Sequence, residues 1–212
     1  GIPVLGALGI ALTGRVPHLR EGVTLVTAGA LFLVVVIGLA PTVLDGARPE
    51  AVLVETFAGI EIAMRVEPLG MLFACIASTL WIVNSIYSIG YMRGNDEPRQ
   101  TPYYAAFAVA IWAAVGIAFS GNLFSLFLFY EILSISTYPL VAHKGSDEAR
   151  IKARIYIVLL ITTSMVLLLP AIIWTFAVTG TSDFVPGGIL AGAGMSATAL
   201  AILYTAYMFG IG

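Results

Sequence analysis

Glu131 is the one formal charge inside a long apolar run, Asn122-Leu-Phe-Ser-Leu-Phe-Leu-Phe-Tyr-Glu131-Ile-Leu-Ser-Ile-Ser-Thr-Tyr-Pro-Leu-Val-Ala142. At about 21 residues and 1.5 Å per residue, a helix of this length crosses a hydrocarbon layer ~30 Å thick. Glu131 falls near the middle, where insertion scales put the cost of a charge at roughly 2.5–3.5 kcal/mol. A chain that keeps a carboxylate there protonates it, pairs it or opens water to it, and all three point to ion or proton traffic. One side of the same stretch is polar: Ser134 lies one turn on and Tyr138 two turns on, with Ser136 and Thr137 flanking the stripe. Hydroxyls both donate and accept, so they hold water near a carboxylate and relay protons. Pro139 removes a backbone donor and clashes one turn back, which loosens the helix at the carbonyl of Ile135. The plainer account is that hydroxyls join helices and the proline bends one. Ser136 and Thr137 fit that account; Glu131, being far costlier, favours the functional one.

Other polar groups in apolar surroundings are more ambiguous. Asn84 shares its stretch with Ser78, Thr79, Ser85 and Ser88 and reads as an interhelical hydrogen-bond peg before a proton relay. Thr162-Thr163-Ser164 fits hydration lining and helix packing equally. His143 and Lys144 close the Glu131 stretch, as a basic interfacial anchor that complements the helix dipole or as a site of proton intake. The two histidines, His18 and His143, are far apart, and no Cys/His metal spacing exists. Cys75 is alone in an apolar stretch and reads as a small buried hydrophobe. Gly187-Gly188 and Gly192-Ala-Gly194 lack the strand and helix context of a phosphate-cradling loop and read as a connector. No cofactor and no metal are expected.

These residues need elements to hold them, and composition says which. The chain is 59% hydrophobic and 10% charged, against about 25% charged in soluble domains, and its mean hydropathy is +0.99. It is an integral membrane protein. A net charge of -2 without a basic cluster speaks against nucleic acid. No basic region precedes the apolar start, so no cleavable targeting peptide is expected. With no initiator Met and a close at Phe209-Gly-Ile-Gly212 in mid-helix, the chain reads as part of a longer polypeptide.

Ile2–Leu12 is a short apolar stretch, followed by a polar turn with Arg15, His18 and Arg20. Spans are then predicted at Val23–Leu44, Leu69–Tyr91, Tyr103–Phe119, the Glu131 stretch and Ile155–Val178, with a disturbance at Pro170. A Gly-rich stretch from Gly180 to Gly194 leads to a further helix from Met195. Ile60, Ile62, Met64 and Val66 alternate with Glu61, Ala63, Arg65 and Glu67, a period of two that predicts a strand, with Val52 and Val54 supplying its hairpin partner before Gly59. Orientation follows from Lys and Arg. Arg15, Arg20, Arg93, Arg99, Lys144, Arg150, Lys152 and Arg154 fall on one face, and only Arg48 and Arg65 on the other. The amino end and the hairpin are therefore expected outside a cytoplasmic membrane.

The stretch Asn122–Val141, followed by His143-Lys-Gly-Ser-Asp-Glu-Ala-Arg150, resembles the fifth transmembrane helix and next loop of antiporter-like proton-conducting subunits. Tyr87-Ser-Ile-Gly-Tyr-Met92 is similar to the same family. Those subunits occur in respiratory complex I, membrane-bound hydrogenases and Mrp-type cation/proton antiporters. The stretch Ser136-Thr-Tyr-Pro-Leu-Val-Ala-His143 looks closest to the D-type member of the Mrp antiporters. The resemblance implies an all-α polytopic membrane protein, a fragment of a 14-helix fold with inverted repeats, here with a small extracytoplasmic β-hairpin. Residues 1–102 would be the three leader helices with the hairpin near 50–67. Residues 103–212 would be the first part of the first inverted repeat, helices four to six and the start of seven.

The resemblance makes Glu131 the match of the family's fifth-helix glutamate, which pairs with a lysine on a broken seventh helix; that lysine would follow Gly212. Many relatives carry a basic residue just before the tyrosine that opens helix six, where this chain has Ile155 with Arg154 before it. The function implied is proton translocation within a multisubunit membrane complex, with Glu131 as proton site and Ser134, Tyr138, Asn84, Thr162 and His143 as the hydrated relay. A carboxyl held away from water favours its protonated form, and a cation beside it favours the ionised form, so a movable lysine would toggle its proton affinity. The partners implied are other membrane subunits, lipid, protons and Na⁺ or K⁺. Two rival roles stay open, a component of a redox-driven complex and a non-conducting membrane scaffold. A self-contained quinone-reducing enzyme is disfavoured by the want of cofactor ligands.

Overall fold

The computed structural model describes residues 1–55, 61–143 and 145–211. Gly59 and Ile60 of the predicted hairpin, and Lys144, lie outside the described residues. Seven helices and one hairpin make up what is described: α1 (Ile2–Leu12), α2 (Pro17–Leu44), β1 (Glu50–Glu55), β2 (Glu61–Arg65), α3 (Pro68–Gly94), α4 (Gln100–Ala118), α5 (Leu123–Val141), α6 (Asp147–Thr179) and α7 (Ala197–Ile211). Five of them, α2 to α6, are long and apolar enough to cross a membrane. The chain is a multi-pass membrane protein.

Two helices begin earlier than the hydropathy suggests, for local reasons. Pro17 opens α2 after the extended Val16; a proline is free of penalty at a first helical position, where its missing N–H has no partner to lose. His18 and Arg20 are therefore helical, and of the predicted polar turn only Arg15 remains one. In α6, the Ser146 hydroxyl accepts from the Ala149 N–H at 3.2 Å, and Asp147 and Glu148 in the first turn complement the helix dipole. The polar residues 147–154, read as a loop from the sequence, are its first two turns.

Both long helices contain a widened, π-type stretch, Leu33–Leu39 in α2 and Ser164–Leu168 in α6. Each lies just ahead of a proline, Pro41 or Pro170. A proline ring meets the carbonyl four residues back and leaves it without a donor, and a widened turn absorbs that clash. This is the form taken by the disturbance predicted at Pro170.

α3 shows how the bundle packs. Its buried residues Met71, Ala74, Ser78, Trp81, Ser85, Ser88 and Met92 recur at helical spacing along one face. Leu72, Ile76, Leu80, Val83 and Ile86 are exposed on the other. An apolar outer face suits lipid, and small residues on the inner face let backbones approach. The main core joins α1, α2, α3 and α4 through Ile10, Ala28, Val35, Trp81 and Ala108. A second, smaller one joins α5 to α6 through Phe127, Leu168 and Ile172, with Tyr207 of α7 against it.

The hairpin is antiparallel, pairing Glu50 with Arg65, Val52 with Ala63 and Val54 with Ile62, with an irregularity between Val52 and Val54. The predicted partner strand is correct, and burial does not follow the period of two in the sequence. Every residue of β1 is exposed and every residue of β2 half-buried. The reason is docking: β2 lies along the α4–α5 junction, where Arg65 N–H donates to Phe119 C=O at 2.6 Å and Gly121 N–H to Ala63 C=O at 2.8 Å. Closeness to that junction, rather than the facing of the strand, sets burial.

Candidate functional site

Glu131 is positioned by a helix anchored at both its start and its flank. Asn122, 1% exposed, caps α5 by accepting from the Ser125 N–H at 2.7 Å, and donates from Nδ2 to the Glu61 carbonyl at 2.8 Å. One side chain thus starts the helix and ties it to the hairpin. Along the flank, the Phe129 ring lies against Gly116 of α4 and meets Trp112 edge-on at 5.3 Å between centroids. Two residues later comes Glu131, 8% exposed, whose Oε1 is buried and has no hydrogen-bond partner among the described residues. Such an oxygen is costly unless a proton, water or cation reaches it.

Next to it, the Tyr130 hydroxyl donates to the backbone carbonyl of Ile211 in the last turn of α7 at 2.8 Å. α7 reaches this point because Gly210 packs against Leu168 of α6. A methyl group on Gly210 would sit 2.7 Å from the Leu168 nitrogen. Thr175 and Tyr207 share a further hydrogen bond of 2.9 Å between α6 and α7.

The predicted relay residues divide. Ser134 is buried on the same helix as Glu131, and its hydroxyl donates to the Tyr130 carbonyl at 2.9 Å. Ser136 and Thr137 likewise donate within their own helix, to Leu133 and Ser134. Among the described residues they do not donate across to a neighbouring helix, and their oxygen lone pairs stay available to water. Tyr138 and His143 come together lining a cavity of about 570 Å³ at the end of α5. His143 Nε2 is 3.6 Å from Glu97 Oε2, too long for a hydrogen bond. Asn84 is half-buried on α3, which packs on α2 and α4, away from the Glu131 helix. Thr162 is exposed on the outer face of α6, while Ser164 is fully buried and donates to the Ile161 carbonyl.

One polar cluster has no counterpart in the sequence reading. Glu21 and Arg20 are each 5% exposed, neighbours near the start of α2. Arg93 of α3 pairs with both oxygens of Glu21, with Nε at 3.0 Å from Oε1, and also reaches His18 Nδ1 at 2.9 Å. Arg20 donates to Gln100 Oε1 at 2.6 Å and to Thr101 Oγ1 at 3.2 Å, and lies 5.3 Å over the Tyr104 ring. The signal was Pro17: starting α2 there puts both charges inside the helix.

The ends of the bundle are chemically distinct. Arg20, Arg93, Arg99, His143, Arg150 and Arg154 gather at one end, and the hairpin, Ser120–Asn122 and Ser182–Phe184 at the other. Neighbouring loops alternate ends as the Lys and Arg distribution predicts.

Residues 120–212 match the family described as NADH:quinone oxidoreductase/Mrp antiporter, transmembrane. Among curated proteins, the NADH-quinone oxidoreductase subunit N of Desulforudis audaxviator (strain MP104C) is 30% identical over 149 residues, covering 68% of this chain and 29% of that protein. A Na(+)/H(+) antiporter subunit A1 of Staphylococcus aureus (strain bovine RF122 / ET3-1) is 27% identical over 93 residues, 44% of this chain and 11% of that one. The chain spans less than a third of either relative. Two solved structures share the fold across 99% of the chain. One is the membrane-bound sulfane sulfur reductase, an archaeal respiratory membrane complex (TM-score 0.78, 20% identity, 42% of that chain). The other is the Mrp complex from Dietzia sp. DQ12-45-1b (TM-score 0.76, 21% identity, 38% of that chain).

Proposed function

From a chain whose residues 120–212 carry the NADH:quinone oxidoreductase/Mrp antiporter transmembrane region, we infer a proton-translocating, antiporter-like subunit of a multisubunit membrane complex, with Glu131 as its proton site. One observation carries the reading. Glu131 is buried with an unpartnered carboxyl oxygen, and the residue before it is hydrogen-bonded to the last turn of α7. A lysine following Gly212, as the family resemblance implies, would approach that carboxyl from the end of α7. Its arrival would favour the ionised form and its departure the protonated one. Ser134, then Tyr138 further along α5 and His143 just past its end, lead from the carboxyl toward the basic end of the bundle, where protons would enter. Asn84 and Thr162 lie off this line and have a weaker claim.

The D-type member of an Mrp-type monovalent cation/proton antiporter is the favoured assignment, and it rests on the Ser136–His143 stretch. Na⁺ or K⁺ would then be the coupled ion. A component of a redox-driven complex is the second reading, supported by the 30% identity to an NADH-quinone oxidoreductase subunit N. In either setting the partners are other membrane subunits. Residues 1–102 act as leader helices and residues 103–212 as the first part of a repeat. The basic end faces the cytoplasm, leaving the amino end and hairpin outside the cell membrane.

The test is Glu131→Gln in the full-length protein within its complex, with proton-coupled transport measured in everted membrane vesicles. Transport should be abolished while assembly is normal. Undiminished transport with normal assembly refutes the reading. Preserved transport in Glu131→Gln together with failed assembly in Glu131→Leu would support a scaffold instead.

A further inference from the structure

We propose that the cavity at the basic end of α5 is a binding site for the phosphate-bearing headgroup of an anionic phospholipid. Arg99, Arg150, Arg154 and His143 line it, with the Tyr138 ring beside them, in a volume of about 570 Å³. Arg150 and Arg154 are one turn apart on α6 and present their side chains to the same space. Arg99, immediately ahead of α4, brings the third guanidinium to the cavity. Its backbone is left-handed, with φ 56° and ψ 36°, a conformation that costs a non-glycine residue energy. Its guanidinium lies over Gly145, on the α5–α6 connection.

None of the three arginines enters an ion pair among the described residues, whereas Arg20, Arg48, Arg65, Arg93 and Lys152 all do. Glu148, the acid nearest in sequence to Arg150, is taken by Lys152 at 2.6 Å, and Glu97 faces His143. Three permanent charges around one cavity repel each other until an anion joins them. The planar guanidinium fork matches phosphate oxygens.

Location selects lipid over free phosphate. The cavity opens where the α5 span ends and the α6 span begins, at headgroup depth for a membrane-spanning bundle. Ile151, Ile155 and Val158, on the exposed face of α6 beside Arg154, offer an apolar track for acyl chains. A free anion has no use for that track.

The test uses the purified full-length protein in detergent, with phosphatidylglycerol and phosphatidylcholine as probes and native mass spectrometry to count bound lipid. Wild-type protein should retain phosphatidylglycerol in preference to phosphatidylcholine. Arg99→Gln, Arg150→Gln and Arg154→Gln should each weaken that retention about fivefold, the scale of one basic residue at an anionic surface. Lys152→Gln, on an exposed and already paired residue, should leave it unchanged. Equal retention of the two lipids by wild-type protein overturns the proposal, whatever the variants do. Retention unaffected by the arginine substitutions also overturns it. Displacement of phosphatidylglycerol by millimolar inorganic phosphate overturns the lipid assignment and identifies a soluble anion as the ligand. No outcome depends on transport, so the proposal stands or falls apart from Glu131.

Discussion

Substituting Gly116→Ala should loosen the contact that holds the Glu131 helix in place. A methyl group there would lie within 2.6 Å of Cε1 and Cγ of the Phe129 ring, more than an ångström inside ordinary carbon–carbon contact. The ring has little room to retreat, being 3% exposed and set edge-on to Trp112. Overpacking of this kind costs about 1–3 kcal/mol. Replacing a helical glycine by alanine returns about 1 kcal/mol of that through backbone entropy. Against a ring so confined the upper part of that range applies, about 2–3 kcal/mol, which leaves a net loss of about 1–2 kcal/mol. Phe129→Leu alone should also destabilise, by losing ring area and the aromatic pair with Trp112. The double variant should recover stability, because the smaller side chain makes room for the methyl group. Reversible unfolding in detergent, followed by tryptophan fluorescence, measures all four corners of the cycle, with Trp112 reporting on the contact itself. A Gly116→Ala protein as stable as wild type would refute the packing argument. So would a cycle additive to within about 0.5 kcal/mol, the scatter expected of independent sites.

Asn122→Ala should destabilise by about 1–2 kcal/mol, the worth of a helix N-cap, while Asn122→Asp should keep the cap and lose only the donor to Glu61; the two are separated by the same unfolding assay. Glu21→Gln should free Arg93 and open the α2–α3 contact, read as faster amide exchange in residues 18–24, with the exchange of α5 unchanged. Acceleration throughout the chain would mean that the cluster supports the whole bundle and would refute a local role.

Much of the fold is legible residue by residue. Apolar runs of membrane-crossing length are decisive because an unsatisfied backbone group in hydrocarbon is so costly that a spanning segment must be helical. The hairpin is legible from its period of two, and the mid-helix position of Glu131 from one charge amid apolar residues. The starts of α2 and α6 are not legible in this way, because hydropathy follows the lipid boundary. Helices begin at caps such as Ser146 and prolines such as Pro17, and here they run past that boundary. Which hydroxyls stand near Glu131 was legible only for those on its own helix, where spacing dictates neighbours.

What the sequence determined alone was a membrane-spanning helical chain with an acidic residue midway along one span, since both follow from the composition of each segment by itself. Tertiary structure decided the rest: that Glu21 meets Arg93, that Tyr130 reaches the end of α7, that three arginines converge on one cavity and that Thr162 and Asn84 lie elsewhere. Those facts depend on how helices distant in sequence rotate and approach one another. Close contacts at Gly116, Gly210 and Asn122 set that approach, and a single segment's composition does not encode which partner it will meet.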